Sequence, residues 1–313
     1  MTNHAFSDDA TPLTRRGFVA GAAAALASLA LPFPAWAMED DRDRLDAWLR
    51  TLRAEGLARP SVPLGRAAAR AGELAAGSPY AAYTLEAYLT VGGGRPEREP
   101  LILHLDRFDC VSLVESALAV ARTAAAGPGV SGPAIGWRRF AREVERMRYR
   151  GGVRDGYASR LHYFSEWILD GARRGLVRDL GPELGAVEDR RPLRFMTEHR
   201  RSYPALADEL TFRRIGEMER SLDPFPRHVI AKERIPEVSD RIRTGDVLAF
   251  ATSIAGLDVT HTAFAYRDRG GVLRVLHAPL SGGAVEVTRA TLPEYVAAIR
   301  TSTGILVARP LRA

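Results

Sequence analysis

Residues 259–278 read Val259-Thr260-His261-Thr262-Ala263-Phe264-Ala265-Tyr266-Arg267-Asp268-Arg269-Gly270-Gly271-Val272-Leu273-Arg274-Val275-Leu276-His277-Ala278. Two alternating runs flank a glycine-containing turn, the pattern of an antiparallel hairpin. Alternation puts His261, Ala263 and Ala265 on one face of the first strand, and Thr262, Phe264 and Tyr266 on the other. The second strand groups Leu273, Val275 and His277 and turns Arg274 away. A three-residue turn over 268–270 would set His261 directly opposite His277, with Cβ atoms about 4.5–5.5 Å apart. A two-residue turn would send the two rings to opposite faces. The Gly270-Gly271 pair admits either turn, or a bulge, so the hairpin permits a histidine pair without compelling it.

Around this hairpin the spacing predicts further strands over 246–252, 284–287 and 304–309, with one helix over 292–299. The chain before Pro236 reads differently. Leu45, Trp48, Leu49 and Leu52 recur at helical spacing, and two short Ala-rich helices follow, the second ending near Leu89. Gly92-Gly93-Gly94 and Pro96 interrupt the pattern. Residues 100–105 read as a strand or extended segment. Helices are expected over 109–123, 135–149, 162–174 and 204–221. Helices followed by an antiparallel sheet argue for an α+β domain. No internal repeat or linker divides it.

The helix that begins after Asp109 carries the single cysteine. Asp109 is an N-cap residue, and Cys110, Leu113, Val114, Ala117, Leu118 and Ala121 share a stripe. A free cysteine is often a small buried hydrophobe. At a helix N-terminus, however, the dipole and unsatisfied N–H groups favour thiolate, although the Asp109 charge opposes this. The alanine face of the His261 strand is the face such a helix would pack against, meeting Ala117 and Ala121.

A thiol that attacks an amide needs an adjacent base and a third polar group to orient that base. Of the seven histidines, His261 and His277 are the pair that a hairpin can join. His104 precedes the cysteine by six residues and reads as structural. No His-Glu-x-x-His motif, His-x-His motif or thiolate cluster is present, so no metal or other cofactor is expected.

Composition narrows the setting. Of 313 residues, 46% are hydrophobic and 26% charged, which is an ordinary globular balance. The charge of +6 comes from 44 basic residues, of which Lys232 alone is lysine. They are spread evenly and form no basic groove with interleaved aromatics, which disfavours nucleic acid. One cysteine allows no intramolecular disulfide. The N-terminus carries Arg15-Arg16, an apolar run to Leu31 and Ala35-Trp36-Ala37, which reads as a twin-arginine (Tat) signal peptide over 1–37. The run is too short for a comfortable membrane span. Cleavage would release residues 38–313 into the periplasm or outside the cell, as a single domain with a helical part (38–99) and a catalytic core (100–313).

The segment Arg107-Phe108-Asp109-Cys110-Val111-Ser112-Leu113-Val114-Glu115 resembles the nucleophile motif of the N-acetylmuramoyl-L-alanine amidase-like family, a branch of the NlpC-type, papain-like amidases. Gly256-Leu257-Asp258-Val259-Thr260-His261-Thr262-Ala263-Phe264 is similar to its histidine strand, and Leu276-His277-Ala278 to its third catalytic position. Ser159-Arg160-Leu161-His162-Tyr163 with Trp167, and Phe195-Met196-Thr197 with His199, Tyr203 and Pro204, are similar to its other signature segments. The resemblance spans roughly residues 100–310.

It implies a papain-like core with an antiparallel sheet packed on the nucleophile helix, plus extra N-terminal and inserted helices. It implies hydrolysis of the muramoyl–L-alanine amide in soluble peptidoglycan fragments, anhydromuropeptides in particular. Cys110 would be nucleophile, His261 base and His277 orienter. Arg160, His162, Tyr163, Trp167 and His199 become candidates for substrate contact. The protein would act as a monomer on muropeptides, without nucleic acid or stable membrane insertion. The alternatives are a γ-D-glutamyl–diamino-acid endopeptidase with the same catalytic residues, a non-catalytic muropeptide-binding protein, and a zinc amidase.

Overall fold

The computed structural model describes residues 35–89, 98–127, 133–280 and 283–312. The signal segment up to residue 34 and the glycine run 92–94 lie outside the described residues. The helices are α1 (Ala35–Ala54), α2 (Leu64–Leu74), α3 (Cys110–Ala125), α4 (Pro133–Arg148), α5 (Phe164–Arg173), α6 (Glu209–Ser221) and α7 (Leu292–Ala298), besides shorter helical turns. The strands are β1 (Val177–Asp179), β2 (Val187–Asp189), β3 (Arg227–Ala231), β4 (Val247–Thr252), β5 (Val259–Arg267), β6 (Leu273–His277), β7 (Glu286–Val287) and β8 (Ser302–Pro310). They form one sheet in the order β2-β3-β8-β4-β5-β6-β7, with β1 also on β8, and the pairings are antiparallel. No helix among the described residues is long and apolar enough to cross a membrane.

The molecule is built around α3. Asp109 caps it: its carboxylate accepts from Ser112 N at 2.6 Å while Ser112 Oγ accepts from Asp109 N at 2.9 Å. Every residue from Ser112 to Ala124 is buried, so the helix has no solvent stripe and is a core element on all sides. It shares one apolar cluster with Leu45 and Leu49 of α1, Ala68 and Ala71 of α2, Phe140 and Val144 of α4, and Phe264 and Leu276 of the sheet. Each large apolar side chain buried there stabilises by about 1.5–3 kcal/mol. Helices α1 and α2 therefore share one interior with α3, α4 and the sheet. Gly245, at φ +87°, lets α2 come close to the sheet, since a Cβ there would lie 1.9 Å from Gly65 O.

The other sheet face buries a second cluster: Phe250, Ala263, Ala265 and Val275 with Leu292 and Val296 of α7 and Ile235 and Val238. This reverses one expectation. The alanine face of β5 receives α7, whereas α3 packs on the Phe264 face.

Other differences have local causes. Residues 101–104 carry no strand pairing. The Ile102 carbonyl instead accepts from Arg148 Nη1 at 2.7 Å, and Arg148 Nε donates to the buried Glu115 carboxylate at 2.7 Å. The helix expected over 204–221 breaks at Asp208, whose side chain caps α6 by accepting from Thr211 N at 2.8 Å. Strands β1, β2 and β3 precede Pro236, so sheet and helices interleave more than the sequence pattern implied. Their three to five residues are too few for alternation to show.

Candidate active site

The β5–β6 register pairs Phe264 with Leu276 and Arg267 with Leu273. The intervening turn runs over 268–272, longer than the three residues expected. It is closed by Asp268 N donating to Val272 O at 3.0 Å, and by Asp268 Oδ1 accepting from Gly270 N at 2.9 Å and Val272 N at 3.0 Å. An even lengthening preserves parity. Continuing the register sets His277 against Ala263, one pair removed from His261, and the two rings meet diagonally on the same face. His261 Nε2 lies 2.8 Å from His277 Nδ1, with the rings nearly perpendicular at 79°.

The pair is enclosed. Phe250 stacks on His261 at 5.6 Å between centroids. Tyr295 of α7 places its hydroxyl 3.3 Å from His277 Nδ1. Glu286, cross-strand partner of His277, brings Oε1 to 3.8 Å from His277 Nε2. His261 Nδ1 and His277 Nε2 are buried and have no hydrogen-bond partner. Burial lowers the His261 pKa to about 3, helped by His277, and burial lowers that of His277 to about 4. Both rings are therefore neutral near pH 7. Tyr295 and Glu286 escape a reading by motif, because α7 and β7 are joined to His277 only through tertiary contact.

Cys110 opens α3 and keeps some accessible surface. Crowding nevertheless pushes its pKa up to about 12. Burial is the main cause and the Asp109 charge adds to it, while the amide and hydroxyl of Thr262 and the Val111 amide oppose them. The helix terminus does not produce a resting thiolate; burial outweighs the dipole. The thiol thus lies against Thr262, the strand neighbour of His261, and within electrostatic range of Tyr295. No hydrogen bond joins it to His261 in this structure.

The substrate-contact candidates divide. Arg160 is buried between Glu86 and Glu99, 3.1 Å from each. Tyr163 is buried and donates to Glu219 Oε1 at 2.6 Å. Trp167 is buried and stacks on Phe164 at 4.8 Å. These three serve the interior, because aromatic and aliphatic packing or ion pairing covers the surfaces a substrate would need. His162 and His199 keep partial exposure, but each is tied to a carbonyl: His162 Nε2 to Tyr157 O at 2.9 Å and His199 Nδ1 to Phe195 O at 2.8 Å. His104 is half-buried 3.8 Å from Asp106. With Asp41 these form the one group of possible metal ligands among the described residues. The Asp106 carboxylate is already held by Arg107 at 2.7 Å, and neither Cys110 nor the histidine pair belongs to the group. A cavity of about 90 Å³ lined by Glu166, Asp179, Arg227 and His228 borders none of the candidate residues.

An N-acetylmuramoyl-L-alanine amidase from Bacteroides uniformis is 30% identical with a TM-score of 0.69, the match covering 79% of this chain and 99% of that one. A Bacteroides fragilis protein named as a candidate xylanase is 32% identical with a TM-score of 0.66, covering 76% and 98%. Protein LPG0564 from Legionella pneumophila shares the fold at 17% identity and a TM-score of 0.63, covering 88% and 96%. No curated protein matches the chain. The profile of the N-acetylmuramoyl-L-alanine amidase-like family matches residues 70–305, three quarters of the sequence and every residue of the site above, and the chain belongs to that family.

Proposed function

We propose that the protein hydrolyses the amide between the lactyl group of N-acetylmuramic acid and the L-alanine of the stem peptide. Soluble turnover fragments, anhydromuropeptides in particular, are the substrates. The core is read as papain-like, of the NlpC type, with Cys110 as nucleophile, His261 as base and His277 as orienter. The observation that carries this reading is the 2.8 Å contact between His261 Nε2 and His277 Nδ1, which leaves His261 Nδ1 bare.

The chemistry follows from tautomers and charge. With the proton on His261 Nε2 donated to His277 Nδ1, the Nδ1 lone pair of His261 is available as base. The Tyr295 hydroxyl lies 3.3 Å from the same His277 Nδ1, and the remaining His277 proton sits on Nε2, toward Glu286. The resting pair is neutral thiol and neutral imidazole. Thiol deprotonation and attack on the lactyl carbonyl are then coupled, with Cys110 turning from Thr262 toward His261. Catalytic hydrogen bonds often tighten only when substrate binds. The Asp109 cap engages Ser112 N, so the Cys110 and Val111 amides are the ones available to hold the oxyanion. Protonated His261 gives its proton to the departing L-alanine amine, and water hydrolyses the muramoyl thioester.

A γ-D-glutamyl endopeptidase would use the same residues, so products decide. A disaccharide–peptide digest should yield, by mass spectrometry, a sugar with a free lactyl carboxylate and a stem peptide with a free L-alanine N-terminus. Sugar still bearing L-Ala-D-Glu would overturn the bond assignment. Iodoacetamide should abolish activity and EDTA leave it intact; the reverse would indicate the zinc amidase. Glycoside hydrolysis needs two carboxyl groups facing the sugar, whereas this cluster offers a thiol and two imidazoles. The twin-arginine segment supports export and action on extracytoplasmic fragments, as a monomer.

A further inference from the structure

Residues 77–83 form a strap between the two halves of the site. On one side Ala81 N donates to Phe108 O at 2.9 Å and Phe108 N to Pro79 O at 3.1 Å, two residues before Cys110. On the other, Gly77 N donates to Val285 O at 2.9 Å, Val285 N to Ser78 O at 2.8 Å and Tyr80 N to Gly283 O at 2.9 Å, just before Glu286. The Tyr80 side chain lies within electrostatic range of Cys110, Asp109 and Tyr83.

At the end of this strap Tyr83 adopts φ +59°, the one non-glycine residue with positive φ among the described residues. A bulky side chain is disfavoured there and glycine or asparagine would relieve it. Strain of this kind persists where the surroundings enforce it, and it concentrates at ligand sites. The enforcement is visible. The 3-10 helix Thr84–Leu89 has no buried residue, so polar anchors hold it: Arg160 Nη2 and Tyr157 Oη donate to Glu86 Oε1, each at 3.1 Å, and Tyr88 Oη donates to Glu99 at 3.0 Å. Arg160 thus acts on the site through the strap rather than by touching substrate. The outcome is a tyrosine ring, 49% exposed, presented at the end of the strap next to Tyr80, the half-buried tyrosine that lies within electrostatic range of Cys110.

We infer that Tyr83, backed by Tyr80, is the wall that receives the glycan half of the substrate, the apolar face of a pyranose lying on the Tyr83 ring. An aromatic ring offers rigid apolar area with a polar rim, which suits a sugar's C–H face. This rests on the amidase reading, and the test separates the two. The Cys110→Ala protein is titrated calorimetrically with N-acetylglucosaminyl-N-acetylmuramyl-tripeptide and with the sugar-free tripeptide. Adding Tyr83→Ala should weaken the first by about tenfold, which is about 1.4 kcal/mol, and leave the second unchanged; Tyr83→Phe should retain binding. Tyr83→Gly should weaken the glycopeptide equally while raising Tm, because it releases the positive φ. Equal losses for both ligands, or none for the glycopeptide, would overturn the wall. Product analysis of the wild-type digest judges the bond assignment separately, since a γ-D-glutamyl product would sink that reading and leave the sugar comparison standing.

Discussion

Two buried polar clusters flank the same strap, and they are built in opposite ways. Around Arg160, acidic groups are held by a cation: Glu86 and Glu99 both pair with one guanidinium, and Tyr88 and Tyr157 donate to the carboxylates, leaving Arg160 Nε and Glu99 Oε2 without partners. Around His261, both imidazoles are neutral near pH 7, the nearby Glu286 carboxylate is largely exposed, and two ring nitrogens lack partners. A cluster whose acidic groups are bound by a cation holds a structure in place. A neutral pair with a bare lone pair is incomplete until something supplies a proton or a hydrogen bond. On the proposed reading the first cluster is scaffold and the second does the chemistry, whereas the sequence offered Arg160 as a candidate for substrate contact.

The comparison can be broken by substitution. Cys110→Ala should reduce kcat/KM by more than about 10³-fold with Tm nearly unchanged, because little volume is lost. A large fall in Tm with a modest fall in rate would make Cys110 a core residue and return the histidine pair to a structural role. Arg160→Met should do the reverse. It leaves Glu86 and Glu99 facing each other without their cation, at a cost of about 3 kcal/mol in urea unfolding. A stable Arg160→Met protein would show that the ion cluster does not hold the strap.

Smaller effects sharpen the contrast. His277→Ala should slow turnover by about 10–100-fold, less than loss of Cys110 or His261, while His277→Asn, which keeps an acceptor for His261 Nε2–H, should recover part of that loss. Equal rates for the two variants would mean that His277 does not orient the base. The pH dependence should be the mildest readout. With the His261 pKa lowered to about 3, the base form persists into acid, and kcat/KM should show no limb near pH 6.5, the ordinary histidine value. Stability moves too: below the unfolded histidine pKa the unfolded chain binds protons that the folded one excludes. The contribution is thus fully present above about pH 6.5 and is lost as pH falls toward the folded values. A histidine limb near pH 6.5 in the rate profile would place His261 in a solvated site.

Local rules carried much of this protein in its sequence. The Asp109 cap, the helix it starts, the strands β4 to β6 and the α+β class depend on neighbours three or four residues away, or on period-two alternation, and all are present in the fold. The shared face of His261 and His277 followed from parity, which an even change in turn length preserves, so it survived a wrong turn length. What was illegible has a common cause. The face of β5 that meets α3, the short strands β1 to β3, the neutral thiol at a helix terminus, and the burial of Arg160, Tyr163 and Trp167 depend on elements far away in the chain. So do Tyr295 and Glu286 beside His277. Alternation states which side chains share a side of the sheet but not which helix will cover that side, and desolvation is set by everything that packs against a group. Residue types and periods determined the parts and their chemistry; only tertiary packing, which sets desolvation, decided which polar groups found partners and which were left without one.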